Sequence, residues 1–197
     1  MQALLKFSKA VDRMSAWIGQ YVIWLILAST VISAVNAVVR KVFNTSSNAF
    51  LEIQWYLFAA SFLIAAGYTL LNNEHVKIDV VSSKFSKRTQ IKIDVFGYVA
   101  FLIPVCLAVL WYATPFFYKG LMSGEVSSNA GGLIRWPVYA MIPLGFGLLL
   151  LQGISELIKR LAFLQGLIDD PTSKKVEKTA EEELAESIRR LAEAKSN

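Results

Sequence analysis

Residues 17–39 read WIGQYVIWLILASTVISAVNAVV, from Trp17 to Val39, without one charged side chain. A helix needs about 20 predominantly apolar residues to cross the hydrocarbon core of a bilayer. This stretch is long enough, and so are three others, at about 50–71, 95–118 and 137–158. Any one of them could be a buried helix of a large soluble protein. Four of them in 197 residues leave too little polar sequence to cover them. The sequence therefore predicts an all-α integral membrane protein with four transmembrane helices.

Composition agrees. The chain is 55% hydrophobic and 18% charged, whereas average soluble domains are roughly 45–50% apolar and about 25% charged. Its charges crowd into the ends and two loops. A net charge of +5 in a soluble chain would suggest nucleic acid. Here basic residues flank membrane spans and meet anionic lipid. With no zinc-finger spacing or aromatic-basic RNA motif, no nucleic acid is expected. Cys106 is the one cysteine and lies in an apolar run, which excludes an intrachain disulfide. A secretory signal peptide is not expected, because the first apolar run is too long and lacks a cleavage pattern.

Basic residues set the expected orientation. Lys6, Lys9 and Arg13 precede the first span, and Lys77, Lys84, Lys87, Arg88 and Lys92 follow the second. Lys159, Arg160, Lys174, Lys175, Lys178, Arg189, Arg190 and Lys195 follow the fourth. These sixteen share one side, and only Arg40, Lys41, Lys119 and Arg135 lie on the other. The positive-inside rule places both termini in the cytoplasm.

Three units follow: residues 1–16, the membrane domain 17–165, and a cytoplasmic polar tail 166–197. Leu4, Phe7, Val11 and Met14 recur at helical spacing. They predict an interfacial amphipathic helix on the inner membrane surface, before the chain turns in at Trp17. Residues 76–92 alternate loosely and read as a short interfacial helix or an ordered connection. Beyond Pro171 the tail is polar. From Glu177 to Lys195 it predicts a helix with Leu184, Ile188 and Leu191 on one face. No internal repeat is evident.

Polar residues near hydrocarbon need an explanation. Glu52 lies near the outer end of the second span, where an ionised carboxylate must pair, face protein or take up a proton. Arg40 ends the first span at similar depth and is its expected partner, with Gln54 and Asn36 nearby. A structural or subunit-facing role comes first for Glu52; a coupling carboxylate is the alternative. His75, the only histidine, sits in Asn72–Asn73–Glu74–His75–Val76–Lys77–Ile78–Asp79. It is expected to cap the helix end or bond locally, because Glu74 and Asp79 supply no metal-motif spacing.

Ala59, Ala60, Ser61, Ala65, Ala66 and Gly67 on the second span, and Gly145, Gly147 and Gly153 on the fourth, favour close helix approach. Pro104 and Pro115 are expected to disturb the third span. The five tryptophans lie mostly near span ends, as in an aromatic belt. Trp55 and Trp111 are also candidates for subunit contact. The Gly- and Ser-rich outer loop from Lys119 to Trp136 carries no Walker pattern. No Ser-His-Asp, Cys-His or HExxH constellation is present. No enzyme activity, cofactor or metal is expected.

The stretch from Arg40 to Val81 carries Asn48–Ala49–Phe50–Leu51–Glu52–Ile53–Gln54–Trp55–Tyr56–Leu57, then Ala65–Ala66–Gly67–Tyr68, then Glu74–His75–Val76–Lys77–Ile78–Asp79. It resembles the small membrane subunit (DctQ-type) of tripartite ATP-independent periplasmic (TRAP) transporters. The four-span layout matches across roughly residues 1–165. Family members often carry a second acidic residue beside the first, where this chain has Gln54. The resemblance implies a bacterial inner-membrane assembly. In it, a periplasmic solute-binding protein delivers an organic acid or similar solute to a large membrane subunit (DctM-type), which moves it on an ion gradient. This chain would pack against and anchor that subunit's scaffold. Arg40, Glu52, Gln54, Trp55, His75 and Asp79 are then subunit-contact or structural candidates. Asn44, Ser47, Asn48, Lys119, Asn129 and Arg135 mark loops that could dock the binding protein. A self-sufficient four-helix carrier using Glu52 is the alternative, and a membrane enzyme or tether a more remote one.

Overall fold

The computed structural model describes residues 1–44, 47–75 and 84–172. Asp79 and the helix expected over 177–195 lie outside the described residues. Within them the chain forms α1 (Gln2–Phe43), α2 (Asn48–Leu71), α3 (Lys87–Ser123) and α4 (Trp136–Leu164). All four are long and apolar enough to cross a membrane. The expected spans fall inside them, and three helices run further than expected.

The largest difference is α1. No turn occurs at Trp17, because the helix runs unbroken for 42 residues, about 63 Å at 1.5 Å per residue. Its N-terminal apolar stripe is only partly at the surface. Val11 is buried together with Ser8 and Ser15, while Leu4 and Phe7 are exposed. The physical reason is a partner: Ser8 and Ser15 hydrogen-bond residues of α4. An amphipathic reading aims the apolar stripe at lipid and cannot see a polar stripe aimed at another helix.

Helix α4 is the hub. It packs against each of the other three, and α1 also pairs with α2. Helix α3 leans on α4, with no comparable packing on α1 or α2 among the described residues. Glycine permits the tight crossings. A Cβ on Gly145 would lie 2.6 Å from the Leu63 carbonyl oxygen of α2, and one on Gly153 would collide with Leu102 of α3. The glycines of α4 therefore serve neighbours within this chain at these two points. Gly147, by contrast, faces open space.

Helix α3 holds a π-helical turn at Tyr98–Leu102. Pro104 follows it, and its ring nitrogen cannot donate to the preceding turn. The disturbance expected of Pro104 thus takes the form of a π-bulge. The turn also sets Leu102 against Gly153 and Tyr98 against Arg160, whose guanidinium carbon lies 4.7 Å from the ring centroid.

A left-handed residue follows each helix: Asn44 (φ 52°) after α1, Gly124 (φ 60°) after α3, and one each after α2 and α4. Asn73 (φ 54°) closes α2, with the Glu74 amide donating to the Thr69 carbonyl at 3.1 Å. Gly166 (φ 73°) closes α4, with Leu167 N–H donating to Ala162 at 3.0 Å. This is the Schellman pattern. It is carried after α2 by Asn73, not by His75, which is exposed.

Candidate functional site

Polar chemistry gathers at the two ends of the bundle, named outer and inner after the orientation expected from the basic residues. At the outer end, residues 124–135 fold back as a narrow hairpin-like loop. Val126 and Ile134 form an antiparallel bridge. The Ser127 amide donates to Leu133 O, and Arg135 N–H to Glu125 O, both at 2.9 Å. Gly131 turns the tip at φ 69°.

This loop is fastened to α2 by Asn48, Glu52 and Tyr56, which are four residues apart and so share one helix face. Asn48 Nδ2 donates to Ala130 O at 3.0 Å, and Tyr56 OH donates to Ile134 O at 3.1 Å. Glu52, only 3% exposed, accepts from three groups. The Ser127 hydroxyl and Asn129 Nδ2 (2.8 Å) reach Oε1, and the Leu133 amide reaches Oε2 at 2.7 Å. All three donors are neutral. The expected Arg40–Glu52 pair is not made: both carboxylate oxygens belong to the loop, and Arg40 is exposed. Arg135 instead reaches Glu125 at 3.2 Å, which also accepts from Tyr139 OH at 3.2 Å.

The remaining candidates are scattered. Gln54 faces α1, where Ser33 Oγ donates to its Oε1 at 3.2 Å. Trp55 is 65% exposed. Lys119 borders an open groove with Phe116, Gly120, Ser123, Glu125 and Tyr139. Asn44 is exposed and Ser47 is half-buried. Among the described residues, no three His, Cys, Asp or Glu side chains cluster as a metal site would require.

The inner end holds what sequence reasoning missed. Gln152, Ser155, Glu156 and Arg160 of α4 are all essentially inaccessible. Arg160 joins α4 to the other elements at that end. Its Nε donates to Asp94 of α3 at 3.1 Å, its Nη1 to Glu156, and its Nη2 to Asn73 Oδ1, just past α2, at 3.2 Å. Beside it, Lys159 bridges Glu156 and Asp12 of α1, the latter at 2.9 Å. Asp12 also accepts from Gln152 Nε2 at 2.9 Å and Ser155 Oγ at 2.8 Å. Ser15 donates to Gln152 Oε1 at 2.7 Å. None of the fully buried side-chain nitrogens or oxygens among the described residues lacks a hydrogen bond.

The signal was present in the sequence. Gln152, Glu156 and Arg160 recur every four residues, which stacks them on one helix face. Counting Lys159 and Arg160 as tail charges hid it. Further along, Asp170 joins Lys87 at 3.1 Å and accepts from the Thr172 amide and hydroxyl. Burial acts to raise the Asp170 carboxyl, but these bonds outweigh it and hold it below its ordinary value.

Chemically, both ends bind the bundle together. Neither presents an unsatisfied nucleophile, acid or ligand set among the described residues. Residues 29–163, which include α2, α3 and most of α4, match the family model described as "Tripartite ATP-independent periplasmic transporters, DctQ component". No curated protein matches the chain.

Proposed function

Because this chain belongs to the DctQ-component family of tripartite ATP-independent periplasmic transporters, a family of transporter components and not of enzymes, we propose that it anchors the large membrane subunit. On this reading it packs against that subunit's static scaffold in the bacterial inner membrane. The partner then carries an organic acid or similar solute inward on an ion gradient. A periplasmic solute-binding protein delivers the solute. Both termini lie in the cytoplasm, the side that the distribution of basic residues favours.

The observation that carries this reading is the satisfied polar interior. The buried charges at the inner end are spent on one another, between helices, as suits a rigid support. The alternative, a carrier coupled through Glu52, requires that carboxylate to exchange protons or ions with a pathway. Glu52 is instead enclosed by the loop that it fastens. The loop's outer surface, with Asn44, Ser47 and Lys119 around it, is the proposed docking face for the binding protein. Asn48 and Asn129 shape that face from beneath, through Ala130 and Glu52.

Co-expression tests the proposal. The large subunit is expected to co-purify with this chain, and reconstituted uptake should need both together with the binding protein. Uptake by this chain alone would overturn the proposal in favour of the carrier.

A further inference from the structure

Among the described residues, Gln54 leaves a polar group unmatched within the membrane. Gln54 lies six residues inside the start of α2, about 9 Å along the helix axis. Its carbonyl oxygen accepts from Ser33, and its backbone oxygen accepts from Ser29 at 3.4 Å. Its amide nitrogen has no acceptor among the described residues, and the side chain is only half-buried. Beside it, Thr30 and Ser33 of α1 are exposed. Lipid tails offer no hydrogen-bond acceptor, so an unmatched amide facing them is costly.

The rest of the outer surface differs. Between Val99 and Tyr118, α3 has no amide, carboxylate or cationic side chain. Its exposed residues there, including Phe101, Val105 and Trp111, suit acyl chains. From Trp24 onward the outermost stripe of α1, with Trp24, Val31, Val35 and Val38 exposed, suits them too; Gln20, one turn earlier on that stripe, lies near the span's start, within reach of the headgroups.

We infer that the seam between α1 and α2 at Gln54 is where a transmembrane helix of the large subunit docks, bringing a hydrogen-bond acceptor level with the Gln54 amide. This rests on the subunit reading above and adds the face. The seam has the shape for a helix. Thr30, Ser33 and Ala37 recur at spacings of three and four, and such small side chains permit close approach. Ile26 and Phe58, 50% and 65% exposed, form apolar shoulders.

The test places a photoreactive benzoyl-phenylalanine at position 26, 58 or 111 in the complete, co-expressed transporter. Positions 26 and 58 are expected to crosslink to the large subunit, and position 111 on α3 is not. A large subunit that co-purifies but crosslinks from 111 and not from 26 or 58 overturns the seam and leaves the subunit reading standing. Failure to co-purify at all overturns both. Gln54→Leu tests the hydrogen bond. It should lower retention of the large subunit by about threefold, the effect of one average interhelical bond in lipid. It should also change the isolated chain's unfolding midpoint little, because losing the Ser33 bond is offset by removing an unmatched amide from lipid. Unchanged retention overturns the acceptor.

Discussion

Both ends of this bundle bury a carboxylate, and they neutralise it in opposite ways. At the inner end, Glu156 lies between two cations, Lys159 and Arg160, on its own helix. Those cations reach on to Asp12 and Asp94 on two other helices. At the outer end, Glu52 has no such cation and accepts from a hydroxyl, an amide and a backbone N–H of one loop. The inner arrangement joins helices to helices. The outer one joins a loop to a helix. Losing a partner should therefore loosen the whole bundle at the inner end and only a hairpin at the outer end.

The largest effect is expected from Arg160→Met. It removes one of the two cations on Glu156, leaving Lys159, and weakens the hold on Asp94 and Asn73. Breaking a buried ion pair from one side costs about 3–5 kcal/mol. Denaturant unfolding of the purified chain in mild detergent should show a loss of this order. Glu156→Met added to Arg160→Met should recover much of it, because apolar replacement of a whole pair is often close to neutral. If the single variant unfolds like the parent, the inner network is not what holds the helices together.

Glu52→Gln comes next. Glutamine keeps the shape but removes the charge, and it sets an N–H against one of three donors. The expected cost is about 1–3 kcal/mol, the range for leaving buried donors unsatisfied. It should fall on the loop. Hydrogen exchange at the Leu133 amide and proteolysis near Asn129–Gly131 should accelerate, while the helices unfold as before. Global unfolding on the scale of Arg160→Met would erase the distinction between the two ends.

The four helices were legible because their signal is local: length and apolarity need no partner. Continuity of α1 was not. Lys6, Lys9, Asp12 and Arg13 mark a segment outside hydrocarbon, but only the contacts of Ser8 and Asp12 with α4 show that it runs straight on. At the outer end, half of the clasp could be read. Asn48, Glu52 and Tyr56 share a face by spacing alone, whereas their acceptors and donors lie more than seventy residues later. Proximity in depth favoured Arg40, yet depth says nothing about which side of a helix a residue faces. The Gln152–Glu156–Arg160 stripe was equally visible. It was missed because charge counting by side treats every cation near a span end as facing water or headgroups.

The smallest effect belongs to the inner end's rim, where the pairing is neither deeply buried nor shared among helices. Lys87 and Asp170 meet at 3.1 Å with side chains 47% and 23% exposed, and such pairs contribute about 0–1 kcal/mol. The sign of their pH dependence follows from the lowered folded-state value of Asp170. Its contribution is present above the unfolded value, about 3.9, and is lost as pH falls through the folded one. Asp170→Asn should therefore be slightly less stable than the parent at pH 7. The difference should shrink towards zero below about pH 4, where the parent's carboxyl also becomes neutral. Unfolding midpoints of both proteins across that range measure it. A penalty at pH 7 as large as that of Arg160→Met would mean that the rim shares in the buried network. A penalty near zero at every pH would confine the inner lock to Asp12, Asp94, Glu156, Lys159 and Arg160.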